Sequence, residues 1–253
     1  MDYGVVVDLE TTGLDASKDR IIEIGLVEFV ATGSALPVMT GTYSGLEDPG
    51  MPLPEVIQKL TGLSDDVLRA RQIDWLTVRS MLSRASMVVA HNADFDRGFL
   101  AQRPELRDLN LHWACSSRHI NWRAHGFRTR ALNYLAADHG FVNPFAHRAL
   151  FDCATTFRLI SPYLAELTAR SWMREFSVLA TGAPFEVKDL LRGRGYRWDP
   201  EQRVWWRRVF EDELESEREF LRTDIYKGAP RHREDEVRSG DSSAEAEDAP
   251  QVP

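Results

Sequence analysis

Apolar residues fall along this chain in two rhythms. Gly4-Val5-Val6-Val7-Asp8 is a β-branched run that opens on glycine, and it reads as a buried strand. A second strand is predicted over 21–30 and a third over 38–43, joined by the turn Thr32-Gly33-Ser34. Residues 48–63 contain Pro49, Pro52 and Pro54 and read as a loop, after which Ser64, Asp65 and Asp66 can cap a short helix. Met87-Val88-Val89-Ala90 is a short, fully apolar strand. Helices are predicted over 75–84, 92–102, 130–139 and 149–164; the last sets Leu150, Cys153, Phe157, Ile160 and Leu164 near one stripe. Three strands followed by alternating helices and strands predict an α/β sandwich with a mixed sheet flanked by helices.

The rhythm then changes. We expect a first domain over 1–165, a linker over 166–183 and a small α+β module over 184–227. In that module a helix around Phe185-Glu186-Val187-Lys188-Asp189-Leu190-Leu191 leads into a hairpin turning at Asp199-Pro200-Glu201-Gln202, and a charged helix spans 211–225. Residues 228–253 are polar and charged and read as a disordered acidic tail. Tyr196, Trp198, Trp205 and Trp206 interleave with Arg194, Arg197, Arg203, Arg207 and Arg208. Such a pattern can stack bases and hold phosphates. The core of a small module is the better reading for Trp198 and one of the paired tryptophans, and the arginines stay open.

Charge changes the picture only once it is localised. The chain's net charge of -8 lies in residues 211–253, with 14 acids against 6 bases, while residues 1–210 are balanced at 25 of each. Within that neutral body, residues 114–148 hold Arg118, Arg123, Arg128, Arg130 and Arg148 against Asp138 alone, a local basic stretch able to grip phosphates, although for any single Arg a solvated surface face is the better reading. Two cysteines, Cys115 and Cys153, predict free thiols in a reducing, cytoplasmic setting. No apolar run approaches the ~20 residues that cross a bilayer, so no membrane partner is expected.

Three acidic strings carry the candidate chemistry. Asp8 and Glu10 close the first apolar run two residues apart, on one face of a strand. Ionised carboxylates there are costly unless paired or bound to metal. His91-Asn92-Ala93-Asp94-Phe95-Asp96 follows an apolar strand and enters a helix. Asp94 and Asp96 point different ways on that helix, one toward the strand end and the other suited to capping, and His91 reads as a hydrogen-bonding loop residue. His147 precedes the last long helix and Asp152 sits inside it between Phe151 and Cys153, beside an apolar stripe. An imidazole, with an ordinary pKa near ~6.5, can take a proton from an activated water. Gln72-Ile73-Asp74-Trp75-Leu76 resembles a sliding-clamp-binding peptide only loosely, and chance accounts for it better.

The three strings resemble the three motifs of the DEDDh (DnaQ-like) superfamily, ribonuclease-H-like exonucleases typified by the DNA polymerase III epsilon subunit. Asp8-Leu9-Glu10-Thr11-Thr12-Gly13-Leu14 matches the first motif, His91 to Asp96 the second, and His147 with Asp152 the third. Arg20-Ile21-Ile22-Glu23-Ile24-Gly25 resembles the family's second strand, and Leu60-Thr61-Gly62-Leu63 its loop before the middle helices. One departure is Trp113-Ala114-Cys115-Ser116, where many relatives have an Asp-Thr pair. The resemblance selects Asp96 over Asp94 and implies a ribonuclease-H-like fold over roughly residues 3–165. It implies that Asp8, Glu10, Asp96 and Asp152 hold two Mg²⁺ or Mn²⁺ ions about 3.5–4 Å apart, with His147 as base. Thr11, Thr12, Asn92 and Phe95 would meet the terminal nucleotide. The activity implied is 3′–5′ hydrolysis releasing nucleoside 5′-monophosphates from single-stranded or frayed DNA ends, in proofreading or repair, with a DNA polymerase or replisome as partner. RNA trimming and a nucleic-acid-binding accessory role are the alternatives.

Overall fold

The computed structural model describes residues 2–33, 35–228 and 231–237, which divide into two units at Ser171 and Trp172. In the first unit, β1 (Asp2–Thr11), β2 (Ile21–Ala31) and β3 (Val38–Leu46) form an antiparallel meander. Strands β4 (Met87–Ala90) and β5 (Trp113–Cys115) add parallel to β1, giving the order β3-β2-β1-β4-β5. This is the mixed, helix-flanked sheet that the sequence predicts.

Alternation along β1 sends its side chains into two cores. Val5, Val7 and Leu9 pack with Ile24, Leu26 and residues of α3 (Trp75–Arg84) and α4 (Ala93–Leu100). Val6 packs with Val27, Phe29 and Val89 against α5 (Leu132–Asp138), α6 (Ala149–Ile160) and α7 (Leu164–Ser171). Because both faces are covered, β1 reads as an unbroken apolar run rather than an alternating one. Each fully buried aliphatic side chain contributes about 1.5–3 kcal/mol. On the face of Val6 the apolar order ends at Asp8 while Leu9 stays in the opposite core, so the functional end of the strand is where the α6-side core stops.

Some expectations need correction. Residues 48–63 are not all loop: α1 (Glu55–Thr61) forms there, since all three prolines precede its first turn and Gly62, at φ +70°, ends it. Ser64 does cap α2 (Asp65–Leu68), accepting from the Val67 N–H at 3.4 Å. Strand β5 was not foreseen, because three residues show no period. The helix expected over 149–164 stops at Ile160, where a 3₁₀ turn, Ser161–Tyr163, precedes α7. The turn expected between β2 and β3 includes Ser34, which lies outside the described residues. Ile73 and Trp75 of the clamp-like string are buried in the core.

The second unit is a four-stranded sheet of order β7-β8-β6-β9, built from β6 (Glu175–Ala180), β7 (Arg197–Asp199), β8 (Val204–Phe210) and β9 (Arg233–Glu236). It carries α8 (Lys188–Arg194) and α9 (Leu214–Phe220), the latter running into a π-helical turn, Leu221–Ile225. Residues 166–183, expected as a linker, therefore hold most of α7 and all of β6. The latter is pinned along its length by antiparallel pairing with β8. Strand β9 lies within the stretch expected to be a disordered tail; residues 238–253 of that tail fall outside the described residues. Tyr196, not Trp198, is the core aromatic: Tyr196 packs with Val178, Leu191 and Val209, and Trp198 is 48 % exposed. Arg194 and Arg207 converge on the buried Glu217 at 3.2 and 2.9 Å. Cys115 and Cys153 are buried free thiols. Among the described residues, no helix is long and apolar enough to cross a membrane.

Candidate active site

The register of β1 on β2 sets Asp8 opposite Gly25 and Glu10 opposite Glu23. All four positions share the sheet face that α6 covers. Gly25 is where the helix comes closest: a Cβ there would stand 2.4 Å from the backbone of Ala149 and of Leu150. The Cys153 thiol donates to the Gly25 carbonyl at 3.1 Å. With no side chain between helix and strand, the first turn of α6 lies against β2 and its Asp152 reaches the carboxylates of β1.

The loop before α6 is organised around Asp152. The His147 N–H donates to Asp152 Oδ2 at 3.0 Å, and the Asn143 side-chain amide donates to Oδ1. His147 has φ +62°, in the left-handed region that a non-glycine residue enters only when its surroundings enforce it. Here that enforcement comes from its bond to Asp152 on one side and from Arg148 on the other. The Arg148 guanidinium closes over Glu23, with Nε 3.0 Å from Oε2 and Nη2 3.0 Å from Oε1, and the Ala149 N–H donates to the same carboxylate at 3.4 Å. His147 itself stays exposed. Donor atoms of Glu10, His147 and Asp152 all lie within 4.8 Å of one another.

Asp96, in the first turn of α4, is 3 % exposed. Of the surrounding charges it acts most strongly on Asp8, followed by Asp152, Glu10 and Glu23. Burial and these like charges hold the Asp8 carboxyl well above the usual range. Glu10 is pushed up to about 8 by burial and by Asp152, Glu23 and Asp96, against a lowering by Arg148. Asp152 is raised to about 6, because burial outweighs its bonds from His147 and Asn143. A pocket of acids that resist ionising together calls for a cation. The donor set, carboxylate oxygens with one imidazole, fits a hard divalent ion such as Mg²⁺ or Mn²⁺.

The structure thus draws Asp8, Glu10, Asp96, His147 and Asp152 to one end of the sheet. Thr11 and Thr12 are buried beside them, their hydroxyls spent on the loop: Thr11 donates to the Gly13 carbonyl at 2.5 Å and Thr12 to Asp19 at 3.1 Å. Asn92 stands at the N-terminus of α4 without making a side-chain cap. Phe95 is half-buried against Phe99, ring centroids 4.9 Å apart. Asp94 does not cap its helix; it pairs with Arg118 at 2.7 Å. His91 is a buried hydrogen-bonder, 2.8 Å from Ser116 Oγ and 2.7 Å from the Arg130 carbonyl. Of the basic stretch, Arg118 and Arg148 are engaged by acids, while Arg123, Arg128 and Arg130 are exposed. Three residues escaped the sequence reading as site members: Glu23, Arg148 and Asn143. Glu23 did leave a signal, as the one acid inside Ile21-Ile22-Glu23-Ile24-Gly25-Leu26-Val27.

The chain is similar to several known proteins. The RNase T family model, described as exonuclease, matches residues 5–160. The DNA polymerase III subunit epsilon of Treponema pallidum is 30% identical over 168 residues, covering 62% of this chain and 74% of that protein. The PolC-type DNA polymerase III of Pediococcus pentosaceus is 28% identical over 66% of this chain, but the match spans only 12% of that protein. The 3′-5′ exonuclease DinG of Staphylococcus saprophyticus is 31% identical over 61% of this chain and 17% of its own length. In fold, the chain is similar to a 3′-exonuclease solved with a histone mRNA stem-loop, with a TM-score of 0.51 and 14% identity over 65% of this chain and 82% of that one.

Proposed function

The chain belongs to the RNase T-type exonuclease family, and on that premise we propose that it hydrolyses DNA from the 3′ end, releasing nucleoside 5′-monophosphates. The observation that carries this reading is the convergence of Asp8, Glu10, Asp96 and Asp152 with an exposed His147, from three separate stretches of chain, at one sheet end. The four carboxylates would hold two divalent ions, Mg²⁺ or Mn²⁺. Bound there, such ions supply neutralisation of the phosphate and activation of a water. His147 sits at the solvent side of the cluster, where an imidazole takes up the proton that the attacking water gives off. Its backbone, tied to Asp152 and flanked by the Arg148–Glu23 pair, fixes where that imidazole stands.

DNA is favoured over RNA by the company the chain keeps: relatives named as DNA polymerase III, PolC-type and subunit epsilon, match it over 66% and 62% of its length. The same names support a DNA polymerase as partner. The test is a labelled single-stranded DNA, a mismatched duplex and an RNA of equal length, each with Mg²⁺ or with EDTA. Stepwise shortening of both DNAs from the 3′ end, only with metal, is expected. Preferential shortening of the RNA would move the assignment to an exoribonuclease. Asp152→Ala should abolish hydrolysis, and His147→Ala should reduce it by about 10²–10⁴-fold, with melting temperatures preserved. Full activity in purified Asp152→Ala protein would overturn the site.

A further inference from the structure

The second unit places aromatic faces and cations in a continuous row. Phe185 is 73 % exposed, and the Lys188 ammonium lies over its ring at 4.1 Å. Lys188 and Arg192 are four apart on α8 and so share a face. The Arg192 guanidinium lies 5.5 Å from the Trp205 ring, and Trp205 packs across the hairpin against its register partner Trp198, ring centroids 5.6 Å apart and planes tilted by 59°. Trp198 is 48 % exposed. The unit's hydrophobic core does not need the outer members of this row: Val178, Leu191, Tyr196, Val209, Leu221 and Ile225 fill it, with Trp205 only at its edge. Residues 184–210 carry seven Lys and Arg against four Asp and Glu, but Arg194 and Arg207 pair with Glu217 and Arg208 with Glu175, so the cations that the row offers to a polyanion are Lys188 and Arg192. Within the row, the acid paired to a cation is Asp189, 3.5 Å from Arg192 with both side chains well exposed, and such a pair yields readily to a competing phosphate.

We propose that this row, Phe185, Lys188, Arg192, Trp205 and Trp198, is a second binding surface for single-stranded nucleic acid, separate from the catalytic cluster. Bases stack on the two exposed rings and phosphates meet Lys188 and Arg192, a combination that tolerates any sequence because every base has a π face. A protein ligand would meet rings already shielded by cations; a polyanion meets both. The choice of nucleic acid also rests on the exonuclease reading of the first unit.

The test uses the full chain carrying Asp152→Asn, in EDTA so that nothing is cleaved, with a fluorescein-labelled oligothymidine followed by anisotropy. Combining Phe185→Ala with Trp198→Ala should weaken binding by about tenfold or more. Combining Lys188→Ala with Arg192→Ala should also flatten the salt dependence of binding by about one to two phosphate contacts. Ultraviolet crosslinking to an iodouracil-substituted strand should mark the peptide that spans residues 184–210. Both ring positions are exposed, so the melting temperature should stay at the parent value and separate lost binding from lost fold. Binding within about twofold of the parent in the ring variant, or crosslinks confined to the first unit, would overturn the proposal. Hydrolysis by the unsubstituted chain is read in a separate assay: binding without hydrolysis sinks the nuclease reading alone, and hydrolysis without dependence on these residues sinks this surface alone.

Discussion

Arg148 shows how much of the site depends on a residue that performs no chemistry. Glu23 is 1 % exposed and stands directly across from Glu10 in the β1–β2 register, a pairing of like charges that is unfavourable by itself. The two guanidinium contacts to Glu23 offset that charge and, through the next residue back, anchor His147 in its left-handed backbone. Arg148→Ala should therefore leave a buried, uncompensated carboxylate. We expect a loss of about 1–3 kcal/mol of stability, toward the low end for breaking a buried pair because Arg148 is itself partly exposed, and a fall in kcat larger than any change in KM. Lysine at this position should recover stability only in part, since an ammonium cannot make the forked contact. Adding Glu23→Gln to Arg148→Ala should restore the urea midpoint. A parental midpoint and kcat in the single variant would show the pair to be idle. Asp8, Glu10, His147 and Asp152 stood out in the sequence as ionisable residues beside apolar runs, and the family resemblance chose Asp96 over Asp94. Glu23 and Arg148 were not legible there, because their meaning arises from a contact between positions 125 residues apart.

At the scale of elements, Gly25 decides how near α6 approaches the sheet. The residue lies in an extended strand, so its value is space and not backbone freedom. Its missing Cβ would collide with main-chain atoms of Ala149 and Leu150 that no rotamer change can move. Gly25→Ala should push the start of α6 outward, costing about 1–3 kcal/mol as overpacking does. It should carry Asp152 away from Asp8 and Glu10, lowering turnover by about 100-fold for a displacement near ~1 Å. A variant that melts at the parental temperature and turns over normally would show that the helix relaxes at no cost. The apolar runs of β1, β2 and β4 and the long helices were readable because burial on both faces writes them as continuous hydrophobic stretches. What escaped were elements whose stability is borrowed. Strand β5 is three residues long and β6 gains its place by pairing with β8, some thirty positions further on. For α1, the prolines that mark a loop in the sequence also suit the entrance to a helix.

For the whole molecule, the decisive electrostatic fact is a neutral body that keeps its acids together at one sheet end. Metal-free, that arrangement has a definite signature against pH. Glu10 titrates near 8 in the folded chain and Asp8 well above its ordinary value, while both return to the usual carboxylate range on unfolding. Raised folded values mean the native state holds protons that the unfolded state has released. Their stabilising contribution is complete below the unfolded value and is lost as pH rises through the folded one. Two buried histidines work in the opposite sense: His91 is lowered to about 4 and His119 to about 3, mainly by burial, so their contribution is present above about 6.5 and lost as pH falls. Between about pH 4 and 6.5 the two groups oppose each other; above that window only the carboxylates still titrate. In EDTA, stability should therefore decline from about pH 6.5 to 8, by up to about 2 kcal/mol for one proton over that interval, or on the order of 5 °C in melting temperature. Ions that bind the ionised cluster draw on the same free energy, so Mg²⁺ or Mn²⁺ should raise the melting temperature more at pH 8 than at pH 6. Glu10→Gln should flatten the decline and shrink the metal-induced gain together. Calorimetry of the transition that carries the first unit, across pH with and without metal, measures both. A metal-free melting temperature that holds level to pH 8 while Mg²⁺ still stabilises would mean that the cluster is ionised before any ion arrives.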